Sequence, residues 1–132
     1  MNAIPIEKNR LHSSQKAHAA LNAYFNIVEK AWNLDVAAQK KILGIQADST
    51  FYKFKKEKNG TLSPDILERI SYILGIYKDL HLLLPDEQAA NEWIKKANQA
   101  IPFGGRSALD RMLSGRVADL FVVRQYLDAQ RG

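Results

Sequence analysis

The stretch that decides the fold is LDVAAQKKILGIQADSTFYKFKKEK, residues 34–58. Leu34 to Leu43 reads as a short helix that stops at Gly44, a residue tolerant of the left-handed backbone found after helix ends. Asp48 or Ser49 can cap a following helix that reaches Lys58 and turns Phe51 and Phe54 inward, after which Asn59-Gly60 makes a turn. Helix, glycine turn, helix is the layout of a helix-turn-helix, whose second helix lies in the major groove of DNA. Its exposed positions are then Ser49, Thr50, Tyr52, Lys53, Lys55 and Lys56, hydroxyls and amines able to reach bases or phosphates. The same spacing occurs in unrelated bundles, where such lysines only keep an outer face solvated.

Working outward, Ala17, Ala20, Leu21, Tyr24, Phe25, Val28, Ala31 and Trp32 recur at spacings of three and four, which predicts an amphipathic helix over about Ser14 to Trp32, broken at Asn33. Downstream, Ser63-Pro64-Asp65 is a helix start, with serine as N-cap, proline at the first position and acids near the positive end. Gly75 marks a stop or kink in that helix. Leu80, Leu83 and Leu84 belong to a short helix ended by Pro85. Asp86 to Ala97 is another helix, burying Ala90, Trp93, Ile94 and Ala97, and the loop Asn98 to Arg106 holds Pro102 and Gly104-Gly105. Ser107 opens a further helix with Asp110 three residues on, Gly115 ends it, and Arg116 to about Gln130 forms the last helix. No segment alternates with period two, so the expectation is all-α. It comprises a flexible N-terminus (1–13), a helical bundle around the helix-turn-helix (14–80) and a C-terminal helical domain (81–132).

Composition supports this and narrows the function. The chain has 132 residues, 46 % hydrophobic and 25 % charged, enough to bury a core of its own. It has no cysteine, which excludes disulfides, zinc ribbons and thiol catalysis and suits a reducing compartment. The opening MNAIPIEKNR lacks the apolar run of a signal peptide, and no apolar stretch approaches a membrane span, so a cytoplasmic, soluble protein is expected. The net charge of +5 is unevenly placed: ten bases face five acids in residues 1–60, and nine face nine in 61–132. A surface for polyanions therefore belongs to the first half. The bases are mostly lysine in the first half and mostly arginine in the second, diffuse phosphate attraction against defined forked contacts.

Enzymatic patterns are missing. His12, His18 and His81 have no metal-ligand spacing, and HExxH, GxSxG and GxxxxGK[ST] are all absent. Gly104-Gly105-Arg106-Ser107 before a helix can cradle an anion through backbone N–H groups, or simply shape a tight turn that Ser107 caps. Carboxylates such as Asp86, Glu87 and Glu92 are explained as helix-start charges, so no catalytic residue, metal or cofactor is expected.

The run Leu62-Ser63-Pro64-Asp65-Ile66-Leu67-Glu68-Arg69-Ile70, then Tyr72-Ile73-Leu74-Gly75-Ile76-Tyr77, then Trp93, Asn98, Phe103-Gly104-Gly105-Arg106-Ser107, Leu109, Met112, Gly115 and the closing Val123-Arg124-Gln125-Tyr126-Leu127-Asp128 resembles the Xre/MbcA/ParS antitoxins. The likeness covers roughly residues 20–132 and is most specific in the C-terminal part. One departure is Lys40, at a helix-packing position usually small in that family. The resemblance implies an antitoxin of a type II toxin–antitoxin pair, with an Xre-like helix-turn-helix at residues 14–80 and a toxin-binding domain at 81–132. The implied partner is a RES-domain toxin acting on NAD, whose active-site entrance the antitoxin covers; NAD is then the toxin's substrate and not a cofactor of this chain. It also implies dimerisation and binding of the promoter DNA of its own operon. Candidate toxin contacts are Arg106, Ser107, Arg111, Arg116, Arg124, Tyr126, Leu127 and Arg131. Leu127 also fits helix core, and Arg131 a frayed terminus. Two other readings stand beside it: a stand-alone transcription regulator whose C-terminal half only dimerises, and an interaction protein that has lost DNA binding.

Overall fold

Seven α-helices succeed one another in the computed structural model, with no β-strand among the described residues: α1 (Ile6–Phe25), α2 (Val36–Leu43), α3 (Asp48–Glu57), α4 (Pro64–Leu83), α5 (Glu87–Glu92), α6 (Ala108–Met112) and α7 (Val117–Arg131). The structure describes residues 6–132, with side-chain surroundings from Gln15 onward. The first five residues, part of the stretch 1–13 expected to be flexible, lie outside it. The all-α expectation holds, and several boundaries move for identifiable reasons.

The helix expected over Ser14 to Trp32 starts upstream at Ile6 and changes pitch after Phe25, where Asn26–Ala31 winds as a π-helix. A π turn takes in one more residue than an α turn. Ile27, Val28 and Trp32 reach the core in and after this wider turn, beside Tyr24 and Phe25 at the end of α1. Asn33, at φ 51°, then breaks the helix. The next helix begins at Val36 because Asp35 is its N-cap, accepting from the Ala38 N–H at 2.8 Å. Gly44 closes it in the left-handed region at φ 77°. For α3 the expected side-chain cap is absent: Ala47 holds the N-cap position, and the Asp48 carboxylate pairs with Lys40 instead.

The largest correction concerns α4. Gly75 does not stop it, and the segment carrying Leu80 and Leu83 continues the same helix to Leu83. Ser63 caps its start, accepting from the Ile66 N–H at 3.2 Å. The helix expected from Asp86 to Ala97 is α5 followed by a 3₁₀ turn over Trp93–Lys95; Ala97 is exposed and forms an isolated bridge with Ser107. Helix α4 is the spine of the molecule. Its most extensive contact is with α7, which lies alongside it in the same direction, Phe121 against Tyr72 and Arg131 against Asp79. One continuous apolar core, from Leu21 and Trp32 through Ile73 and Leu80 to Met112 and Val123, spans both halves of the chain.

Candidate nucleic-acid and partner interfaces

The α2–turn–α3 unit is fixed from behind by one buried arginine. Arg69 of α4, 8 % exposed, donates from Nε to Asp65 Oδ2 at 2.9 Å and from Nη1 to the Lys41 and Ile42 carbonyls, each at 3.4 Å. It thereby places a positive charge on the last carbonyls of α2, where the helix dipole favours a cation. Its guanidinium lies flat on Gly44, where a Cβ would stand 2.7 Å from Arg69 Cζ. The turn therefore needs glycine for two reasons, the positive φ and the arginine above it. Lys40, half-buried, crosses the turn to Asp48.

With the turn fixed, α3 presents a defined face. Ser49, Tyr52, Lys53 and Lys56 follow i, i+3, i+4, i+7 spacing, Thr50 lies beside them, and all five are exposed. Phe51 is fully buried, edge-on to Phe25 at 5.7 Å, and Phe54 is half-buried. Lys55 does not join the outer face. Its Nζ lies 3.3 Å from Glu29 and 6.0 Å from the ring centres of both Phe25 and Phe51, so it packs α3 onto the helix behind it. The far end of α3 is held by His18 of α1, whose Nδ1–H donates to the Lys58 carbonyl at 3.0 Å. A basic helix face supported on a rigid frame suits phosphate contact, with hydroxyls and a tyrosine in reach of base edges.

In the C-terminal half the candidate contacts divide sharply. Arg106 has a side chain 80 % exposed, with only Asp110 near it at 3.9 Å, and Arg116 is exposed as well. Ser107 is the N-cap of α6, accepting from the Asp110 N–H at 3.0 Å, so Gly104-Gly105-Arg106-Ser107 shapes a turn and starts a helix. Leu127 is 2 % exposed and belongs to the core, which removes it from any surface. Tyr126 packs in an aromatic cluster, stacked on Trp93 at 6.2 Å and edge-on to Phe103 at 5.2 Å.

The other three arginines make internal bonds. Arg111 donates from Nε to Asp119 Oδ1 at 2.9 Å and from Nη1 to the Pro102 carbonyl at 2.6 Å, tying loop 98–106 to the start of α7. Asp119 also accepts from Ser114 Oγ at 2.6 Å, and that hydroxyl together with Arg111 holds its carboxyl below the usual carboxylate range. Arg124 donates to Asp128 at 3.1 Å and to the Ser71 carbonyl at 3.4 Å. Arg131 donates to Asp79 at 2.8 Å. Asp79 is fully buried, and its Oδ2, 4.0 Å from Arg124 Nε, has no hydrogen-bond partner. Burial pushes the Asp79 carboxyl up, an effect that neighbouring Asp128 reinforces and Arg131 opposes. Of these partners only Asp128, four residues after Arg124 on the same helix, was readable from spacing.

Both halves match known families. Residues 10–75 match the antitoxin Xre-like helix-turn-helix domain, and residues 79–132 match the antitoxin Xre/MbcA/ParS C-terminal toxin-binding domain. The chain is also 49 % identical, over 119 residues, to the uncharacterized protein y4oB of Sinorhizobium fredii (strain NBRC 101917 / NGR234), a match covering 90 % of this chain and 89 % of that protein. Neither matched domain is an enzymatic one. No helix among the described residues is long and apolar enough to cross a membrane.

Proposed function

Because the chain belongs to the Xre/MbcA/ParS antitoxin family, we propose that it is the antitoxin of a type II toxin–antitoxin pair, binding and neutralising a RES-domain toxin that consumes NAD. In this reading the C-terminal half, about residues 81–132, covers the toxin's active site, and the helix-turn-helix within about residues 14–80 binds the promoter of its own operon and represses it. The observation that carries it is the succession of the two matched domains, with the five-residue face of α3 on the first and Arg106 and Arg116 exposed on the second. The charge partition supports the same division, since the excess of bases is confined to residues 1–60. The antitoxin acts in the cytoplasm as a homodimer within a larger complex. Exposed Leu67 and Phe121 leave apolar surface for such self-association.

The test is co-expression with the product of a RES-domain gene adjacent to this one. The expected result is co-purification, suppression of NAD loss and rescue of growth; a toxin that neither binds nor is inhibited overturns the neutralising role. Mobility shifts with the upstream region test repression separately, and a shift without any toxin association identifies a stand-alone regulator.

A further inference from the structure

Loop 98–106 carries the most exposed large apolar side chain described. Ile101 is 97 % exposed, whereas Tyr52, Leu67, Leu82 and Phe121 lie between 44 % and 57 %. The loop is not slack. The Asn98 N–H donates to the Arg106 carbonyl at 3.0 Å, the Gly105 N–H to the Asn98 carbonyl at 2.8 Å, and the Phe103 and Gly104 N–H groups to the Ala100 carbonyl at 2.9 and 3.0 Å. Asn98 Oδ1 accepts from the Ala100 N–H at 2.9 Å, Arg111 holds the Pro102 carbonyl, and buried Phe103 pins the loop between Trp93 and Tyr126. An isoleucine standing in water on a backbone so constrained adds nothing to folding, yet it is already ordered for binding.

We propose that Ile101 is the apolar anchor by which this chain seats on its toxin, entering an apolar socket rimmed by acidic groups. The inference deepens the antitoxin reading and rests on it. Ile101 lies inside the segment matched by the toxin-binding domain. Its loop follows the exposed Lys95 and Lys96 and ends on Arg106, whose side chain is 80 % exposed with Asp110 at 3.9 Å, so basic side chains flank its apolar tip. Arg111 is a positioning residue here: it holds the peptide next to Ile101 and meets no partner itself.

The experiment compares the full chain with Ile101→Asp and Ile101→Ala, titrated against the purified product of a RES-domain gene adjacent to this one. The expected result is a Kd raised about 10- to 100-fold in Ile101→Ala and more in Ile101→Asp, with thermal unfolding unchanged in both. Wild-type affinity in Ile101→Asp overturns the anchor while leaving the antitoxin reading intact. Failure of the unaltered chain to bind the toxin overturns both. Light scattering without toxin is the remaining arm: a drop in oligomeric mass in Ile101→Asp makes the occupant a second copy of this chain and overturns the assignment to the toxin.

Discussion

The guanidinium of Arg124 lies on Gly75, so close that a Cβ at the glycine would stand 1.7 Å from Nη1. Helix α4 therefore carries glycine in its interior, at a cost of about 1 kcal/mol against alanine, to admit an arginine from α7. Through that gap Arg124 reaches the Ser71 carbonyl and comes beside buried Asp79. The helix-turn-helix uses the same device, with Arg69 lying on Gly44.

Gly75→Ala should displace Arg124, because the two groups cannot share that space. In the unaltered chain the overlap outweighs the gain in helix propensity, and stability falls by about 1 kcal/mol or more. In an Arg124→Ala background the same change should instead stabilise by about 1 kcal/mol. Urea unfolding of the four variants gives the cycle; additive effects would show that the two residues do not compete for one space.

Arg131→Ala should leave the buried Asp79 carboxyl without its direct partner, and lower stability by about 1–2 kcal/mol at pH 7. Asp79 already has a raised pKa, so its ionised form is the unfavourable one in the folded protein. The penalty is therefore fully present above the folded pKa and shrinks as pH falls towards the ordinary carboxylate value. Denaturation midpoints at pH 7 and pH 4 should show the defect narrowing on acidification, and Asp79→Asn should restore most of it at pH 7.

The opposite sign applies to Asp119, whose pKa is lowered by Ser114 and Arg111. Its stabilisation is present above the unfolded value of about 4 and is lost as pH falls through the depressed folded value. Asp119→Asn should cost about 1–2 kcal/mol at pH 7 and nothing once the pH is below both values. A pH series of urea midpoints for the two proteins should therefore converge at the acid end.

On α3 the three lysines should separate. Lys53→Ala and Lys56→Ala should each flatten the salt dependence of promoter binding by about 0.9 in the log–log slope, the effect of one phosphate contact. Lys55→Ala should leave that slope alone and lower stability by about 0.5 kcal/mol, because its charge is engaged with Glu29 and two phenyl rings. An unchanged slope in Lys53→Ala would remove that residue from the DNA face.

Local chemistry was legible in the sequence. Ser63 and Ser107 each cap the helix that follows, Gly44 closes α2, and the three-and-four spacing of apolar residues anticipated the α1 core, because each depends on neighbours within a turn or two. The family of the chain was legible for the same reason, as a fixed order of such residues. What a side chain meets across the molecule was not. A glycine at position 75 reads as a stop until an arginine from α7 is laid on it, and the basic character of Arg111, Arg124 and Arg131 announces a search for an anion without naming which one. Asp128 lies beside Arg124 by the turn of α7 itself, but Asp119 and Asp79, and the carbonyls of Pro102 and Ser71, are set beside these arginines by the packing of α6 and α7 against the rest of the molecule. The sequence by itself determined the all-α class, the turn and the partition of charge. Only the tertiary structure decided which arginines are left for a partner, because an ion pair depends on distance in space, and residues 52 or 53 positions apart come together only when the core closes.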